Sequence, residues 1–142
     1  MKLPGSGNSN DSPVMRLRAH HICCAPFWTG AKGSRGPRFQ QVEDKIKGML
    51  LSPIDSKVMV IEGADELCQE CPLCVDKRCT SAKGDEETVR KWDAIVLKEL
   101  GLTFNTCLTA RQWHDLIKRK VPFKLCHRCQ WKKECRIGRQ VP

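Results

Sequence analysis

Tyrosine is absent from the 142 residues and aromatic residues make up only 6% of them, so the large side chains that normally dominate a core are scarce. A chain of this length can still bury a moderate core. The shortage implies that something besides apolar packing helps to hold the fold. Long hydrophobic runs are missing as well. The best stretches, at 22–28 and 58–61, fall far short of the roughly 20 residues of a membrane span, which excludes a transmembrane helix. The opening MKLPGSGNSNDSPV has no apolar segment of the secretory type. No G-x-S-x-G, H-E-x-x-H, P-loop or dinucleotide fingerprint occurs, so hydrolase, nucleotide and nicotinamide readings have no support and no catalytic motif is recognised.

What the chain does have is cysteine, ten in all. With no export signal, a reducing cytoplasm is the expected location, and thiols clustered at C-x-x-C spacing there read as metal ligands rather than disulfides. Acidic side chains thin out toward the C-terminus. Residues 111–142 hold 10 Lys and Arg against 2 Asp and Glu, so +8 of the formal net charge of +9 sits in the last quarter. That quarter also carries Cys126, Cys129 and Cys135, and four thiolates around zinc or a [4Fe–4S]²⁺ cluster leave about −2. The cations therefore read as counter-charges or as a docking face for a redox protein partner, with nucleic acid the weaker expectation and no membrane involved.

Residues 1–14 read as a disordered leader and 15–142 as one cysteine-rich metal-binding domain. Phe39, Val42, Ile46 and Met49 recur at helical spacing, which predicts an amphipathic helix ending near Leu51; Val58, Val60 and Ile61 predict a strand over 57–62. Val89, Trp92, Val96 and Leu100 trace one face of a long helix over about 85–100, with Gly101 at the C-terminal cap. Thr109 and Gln112 form a capping box for a further helix that Pro122 stops near Lys120. Glycines at 30, 33 and 36 mark a basic loop. The expected fold class is α+β, a mainly helical small metal-stabilised domain.

Three groups of residues carry potential chemistry. The central one, Cys68-x-x-Cys71-Pro72-x-Cys74-x-x-x-x-Cys79, follows Asp65, a natural helix cap that puts Cys68 and Cys71 on one turn. Bacterial ferredoxins space their ligands C-x₂-C-x₂-C-x₃-C-P, one residue tighter before the fourth cysteine, so iron–sulfur is favoured over a structural zinc knuckle while a simple ferredoxin is not indicated. The terminal group, Cys126-x-x-Cys129-x-x-x-x-x-Cys135, offers three thiolates where a metal wants four; Cys107, Cys74 and Cys24 are candidates for the fourth, Cys107 or Cys74 being preferred. At the start, Arg16-x-Arg18-x-His20-His21-x-x-Cys24 sets two histidines three and four residues from a thiol. Adjacent helical side chains diverge by about 100°, so at most one histidine is expected at any one centre, as a hydrogen-bond donor to a cluster sulfur.

These residues resemble a prokaryotic family of unknown function with predicted iron–sulfur binding. The likeness rests on Arg16-Leu-Arg-Ala-His-His-Ile-Cys-Cys24, the glycine-rich loop leading to Phe39, Glu62-Gly-Ala-Asp-Glu-Leu-Cys-Gln-Glu-Cys-Pro72 with Cys79, and the long helix ending Leu100-Gly-Leu102. It spans about residues 15–135; family members carry R-P-H-H-x-x-C, with Pro where Ala19 stands here. The resemblance implies Cys24, Cys68, Cys71 and Cys79 as the motif cysteines, expected to share one centre, with Cys23, Cys74 and Cys107 as additions. The expected function is iron–sulfur binding, with one or two [4Fe–4S] clusters, in electron transfer or as an accessory to a redox enzyme complex. The alternative is a zinc-binding module whose basic C-terminal knuckle contacts nucleic acid or an acidic protein.

Overall fold

In the computed structural model the elements in chain order are β1 (Met15–Leu17), α1 (Ala19–Cys23), α2 (Pro37–Leu51), β2 (Lys57–Val60), β3 (Cys74–Val75), β4 (Arg78–Ser81), β5 (Gly84–Asp85), α3 (Glu86–Leu100), β6 (Cys107–Thr109) and α4 (Ala110–Lys120), with 3₁₀ turns at Ala25–Phe27, Cys68–Glu70, Lys124–Arg128 and Gly138–Gln140. The structure describes residues 14–28, 35–51, 55–81, 84–129 and 135–140; residues 1–13 of the expected leader over 1–14 and the loop glycines at 30 and 33 lie outside them.

Alternation of burial makes the main sheet: in β2, Val58 and Val60 are fully buried while Lys57 is exposed and Met59 half-buried. β2 is its middle strand, parallel to β1 with Leu17 opposite Val60, and antiparallel to β6 with Val58 opposite Leu108. The parallel pairing needs a crossover, which α1 and α2 supply. A second sheet, β3-β4-β5, is an antiparallel meander that holds Cys74 opposite Cys79. No strand was expected there.

The long helices start and stop where local chemistry dictates. Asp85 accepts the Thr88 N–H at the head of α3, and Gly101 closes it in the left-handed region at φ 75°. Thr109 and Gln112 complete a reciprocal capping box on α4. α4 buries Trp113, whose Nε1–H donates to Val58 O at 2.8 Å and so binds the helix to the sheet. One apolar cluster unites Leu17, Ile22, Ile46, Val58, Val96, Leu100, Trp113 and Phe123, drawn from both ends of the chain. The fold is α+β. Among the described residues no helix is long and apolar enough to cross a membrane.

One expectation needs correction. The inward face of α3 is built from Glu86, Val89, Asp93, Val96, Leu97 and Leu100, whereas Trp92 is only half-buried. Two carboxylates therefore sit on a stripe read as apolar, and the N-terminal residues account for both.

Candidate metal centre

Consecutive tight turns shape the central cysteine segment. Cys71 N–H donates to Cys68 O at 3.0 Å and Cys74 N–H to Cys71 O at 3.1 Å, which brings a thiol round every third residue. The chain then reverses at Asp76 and Lys77, both at positive φ, and returns Cys79 beside Cys74. Cys68, Cys71, Cys74 and Cys79 line one small cleft together with Arg18, His20 and His21. Phe39 closes part of its wall, with the Arg35 guanidinium 5.3 Å over its ring.

A buried arginine organises this cleft. Arg18 is 1% exposed and its Nε–H donates to Cys68 Sγ at 3.2 Å. Its two terminal nitrogens grip Glu86 in a bidentate pair at 3.2 and 2.7 Å. Glu86 in turn accepts the Cys79 N–H at 2.9 Å and the Arg90 Nε–H at 2.6 Å. One carboxylate thus fixes both the cation that touches the first cysteine and the backbone of the last. Burial opposes both charges. For Glu86 the donors from Arg18, Cys79 and Arg90 win and hold its carboxyl at about 2, and for Arg18 the hydrogen bonds to Glu86 and Cys68 win and lift its pKa above the ordinary value.

The two histidines are held by two more acids. Asp93 Oδ1 accepts both the His20 N–H at 2.9 Å and His20 Nδ1–H at 2.6 Å, while Asp65 Oδ2 accepts the Arg18 N–H at 2.6 Å and His21 Nδ1–H at 2.6 Å. An ionised carboxylate only accepts, so each Nδ1 carries the proton. Burial, outweighing the nearby Asp65, lowers the His21 pKa. Asp65 Oδ1 also caps the 3₁₀ turn through the Cys68 N–H at 2.8 Å, and the His21 contact together with these backbone donors holds its carboxyl well below the usual range despite burial. His21, Asp65 and Cys68 bring ligand-type atoms within 4.8 Å of one another. Three of the roughly four acceptor positions on Asp65 are already occupied by N–H groups, which makes it a hydrogen-bond hub rather than a ready metal ligand. Contrary to expectation, both histidines line the same cleft, their ring centroids 4.2 Å apart. α1 is a five-residue turn, and each ring is turned by its own acid.

Burial, then the Asp65 charge, push the Cys68 thiol up to about 12 against the pull of Arg18, and burial raises Cys74 too. Burial thus disfavours the thiolate form of Cys68 and Cys74, and a bound cation is what would favour it. All ten cysteines are free of disulfides.

The remaining thiols fall elsewhere than expected. Cys24 does not join the central four. It is held well above the ordinary thiol value by burial and then by the thiols of Cys23, Cys129, Cys135 and Cys126. Cys74, offered above as a ligand for the terminal group, lines the central cleft and interacts with Cys71 and Cys79. Cys107, the other candidate, is exposed on β6 opposite Met59. Cys23 is buried in the core. His127 is exposed. Sequence reasoning gave no part in the centre to Arg18, Glu86 or Asp93. The available signal was a carboxylate at positions 86 and 93 of the apolar stripe on α3.

No curated protein and no solved structure matches the chain. A family model described as protein of unknown function (DUF1284) matches residues 37–135, a span that holds all the central cysteines and the terminal three but ends short of Arg18, His20, His21 and Cys24. With most of its length covered by that match, the chain belongs to the DUF1284 family.

Proposed function

We propose that this protein binds an iron–sulfur cluster through Cys68, Cys71, Cys74 and Cys79 and passes single electrons to a redox partner in the cytoplasm. The observation that carries this reading is the meeting of four thiols and a buried arginine N–H at one cleft. The residues fit such a group. Four thiolates are its usual ligand set, and a donor aimed at a ligand sulfur is one of the means by which a protein tunes its potential. A structural zinc ion would use the same four thiolates, so the identity of the metal is what the test below decides. When bound, the cluster supplies one-electron chemistry.

The chain's own residues supply the rest. Arg18 offsets the negative charge of the thiolates, and Glu86 keeps it from turning away. Phe39 and Leu67, both nearly fully buried, keep water from the apolar side of the loop. Lys118, Arg119 and Lys120 are exposed at the end of α4 and form part of a basic face for an acidic partner. The resemblance drawn from the sequence motifs points to the same cofactor. Electron paramagnetic resonance of protein purified without oxygen and reduced with dithionite tests the reading. A reduced-cluster signal that disappears in Cys71→Ser and changes shape or potential in Arg18→Lys is expected. A silent, colourless protein holding zinc on these cysteines contradicts it.

A further inference from the structure

We propose that Cys24, Cys126, Cys129 and Cys135 form a second four-thiolate metal centre, separate from the central cleft, which clasps the C-terminal segment to the end of α1. The path of the backbone carries the four residues together. Just past Cys24, Trp28 pairs with Cys135 in an antiparallel bridge, and Arg136 N–H donates to Phe27 O at 2.8 Å. The Arg136 guanidinium lies 5.5 Å over the Phe27 ring, a further contact between the same two segments. On the other flank, Cys126 N–H donates to Phe123 O at 3.0 Å, and Phe123 is 2% exposed in the core that Cys24 and Cys126 also touch. Cys129 N–H follows to Cys126 O at 3.4 Å, a turn of the kind that converges two thiols spaced C-x-x-C.

The ten cysteines then divide into four at the central cleft, four here, Cys23 in the core and Cys107 on the surface. Cys24 and Cys126 pack against the apolar core, where S–H is only a weak donor and sulfur a weak acceptor. A thiophilic cation changes this: binding releases the thiol protons and gives every sulfur a strong partner. The class of ligand is therefore a metal that takes four thiolates, either a zinc ion or thiolate-bound iron. The resulting charge of about −2 falls in the segment where Lys and Arg outnumber Asp and Glu by 10 to 2.

The test is zinc, iron and sulfide analysis of the full chain purified without oxygen, for the native protein and for Cys24→Ser, Cys107→Ser and a Cys68→Ser, Cys71→Ser double variant. Cys24→Ser should lose the metal of one centre and keep that of the other. Cys107→Ser should lose none, and the double variant should keep the metal that Cys24→Ser loses. Unchanged metal in Cys24→Ser, or the same loss in Cys107→Ser, overturns the proposal. Should Cys24→Ser not fold, alkylation of the native protein decides. The four cysteines should resist until a chelator removes the metal and then react together, while Cys107 reacts from the start. A disulfide among the four, or reaction at the rate of Cys107 before chelation, counts against the centre. Because the readout is metal at a separate site, absence of iron from the central cleft leaves the result interpretable.

Discussion

Arg18 and Glu86 are each 1% exposed, and the pair stands or falls together. Glu86→Gln keeps the shape but removes the charge that compensates the guanidinium. Breaking a buried pair from one side costs about 3–5 kcal/mol, and we expect a loss of that size in urea unfolding. The effect has a defined pH dependence. The Glu86 carboxyl lies at about 2 in the fold, against an ordinary value of about 4.3. A depressed carboxyl stabilises the fold fully above its unfolded value and ceases to do so as the pH falls to the folded one. The advantage of the native protein over Glu86→Gln should thus be constant above about pH 5 and shrink between about 4.3 and 2. An advantage that grew on acidification would show that the pair is not held as described. The sequence showed the Arg16-x-Arg18-x-His20-His21 motif without revealing the partners of Arg18, His20 and His21, because Asp65, Glu86 and Asp93 lie 44 to 73 positions away.

Helix ends were legible and the cysteine-bearing hairpin was not. Caps are local: Gly101 and the Thr109–Gln112 box act within four residues of themselves, so sequence alone locates them. β3 and β4 are two and four residues long, and their turn uses Asp76-Lys77 in place of the Asp-Gly pair that would announce it. For Cys24 the sequence offered the terminal group only as one of two possible centres, since its neighbours there lie more than a hundred positions downstream and the backbone leaves α1 at Cys24 to enter a 3₁₀ turn. Two substitutions probe the caps. Thr109→Ala should cost about 1 kcal/mol. Gly101→Ala, where an added Cβ meets nothing within 4 Å, should cost about 1 kcal/mol through its left-handed backbone alone. Thermal unfolding of the purified variants measures both, and a neutral Gly101→Ala would mean that the cap relaxes.

At the scale of the molecule, the central cleft joins distant segments: α1, the β3–β4 hairpin and the head of α3 are linked through Arg18 and Glu86. Lys118, Arg119 and Lys120 are exposed at the end of α4. Reversing Lys118, Arg119 and Lys120 to Glu should slow electron transfer to an acidic redox partner and flatten its dependence on salt, while leaving the reduction potential unchanged. Equal rates in both proteins at low salt would remove this face from the account. The central claim, that Cys68, Cys71, Cys74 and Cys79 hold an iron–sulfur cluster, is tested most directly by iron and acid-labile sulfide analysis of the native protein purified without oxygen, alongside the Cys68→Ser, Cys71→Ser double variant. The account predicts iron and sulfide in equal amounts in the native protein, with the share held by the central cysteines missing from the variant. Zinc in place of iron, or iron and sulfide undiminished in the variant, would contradict it.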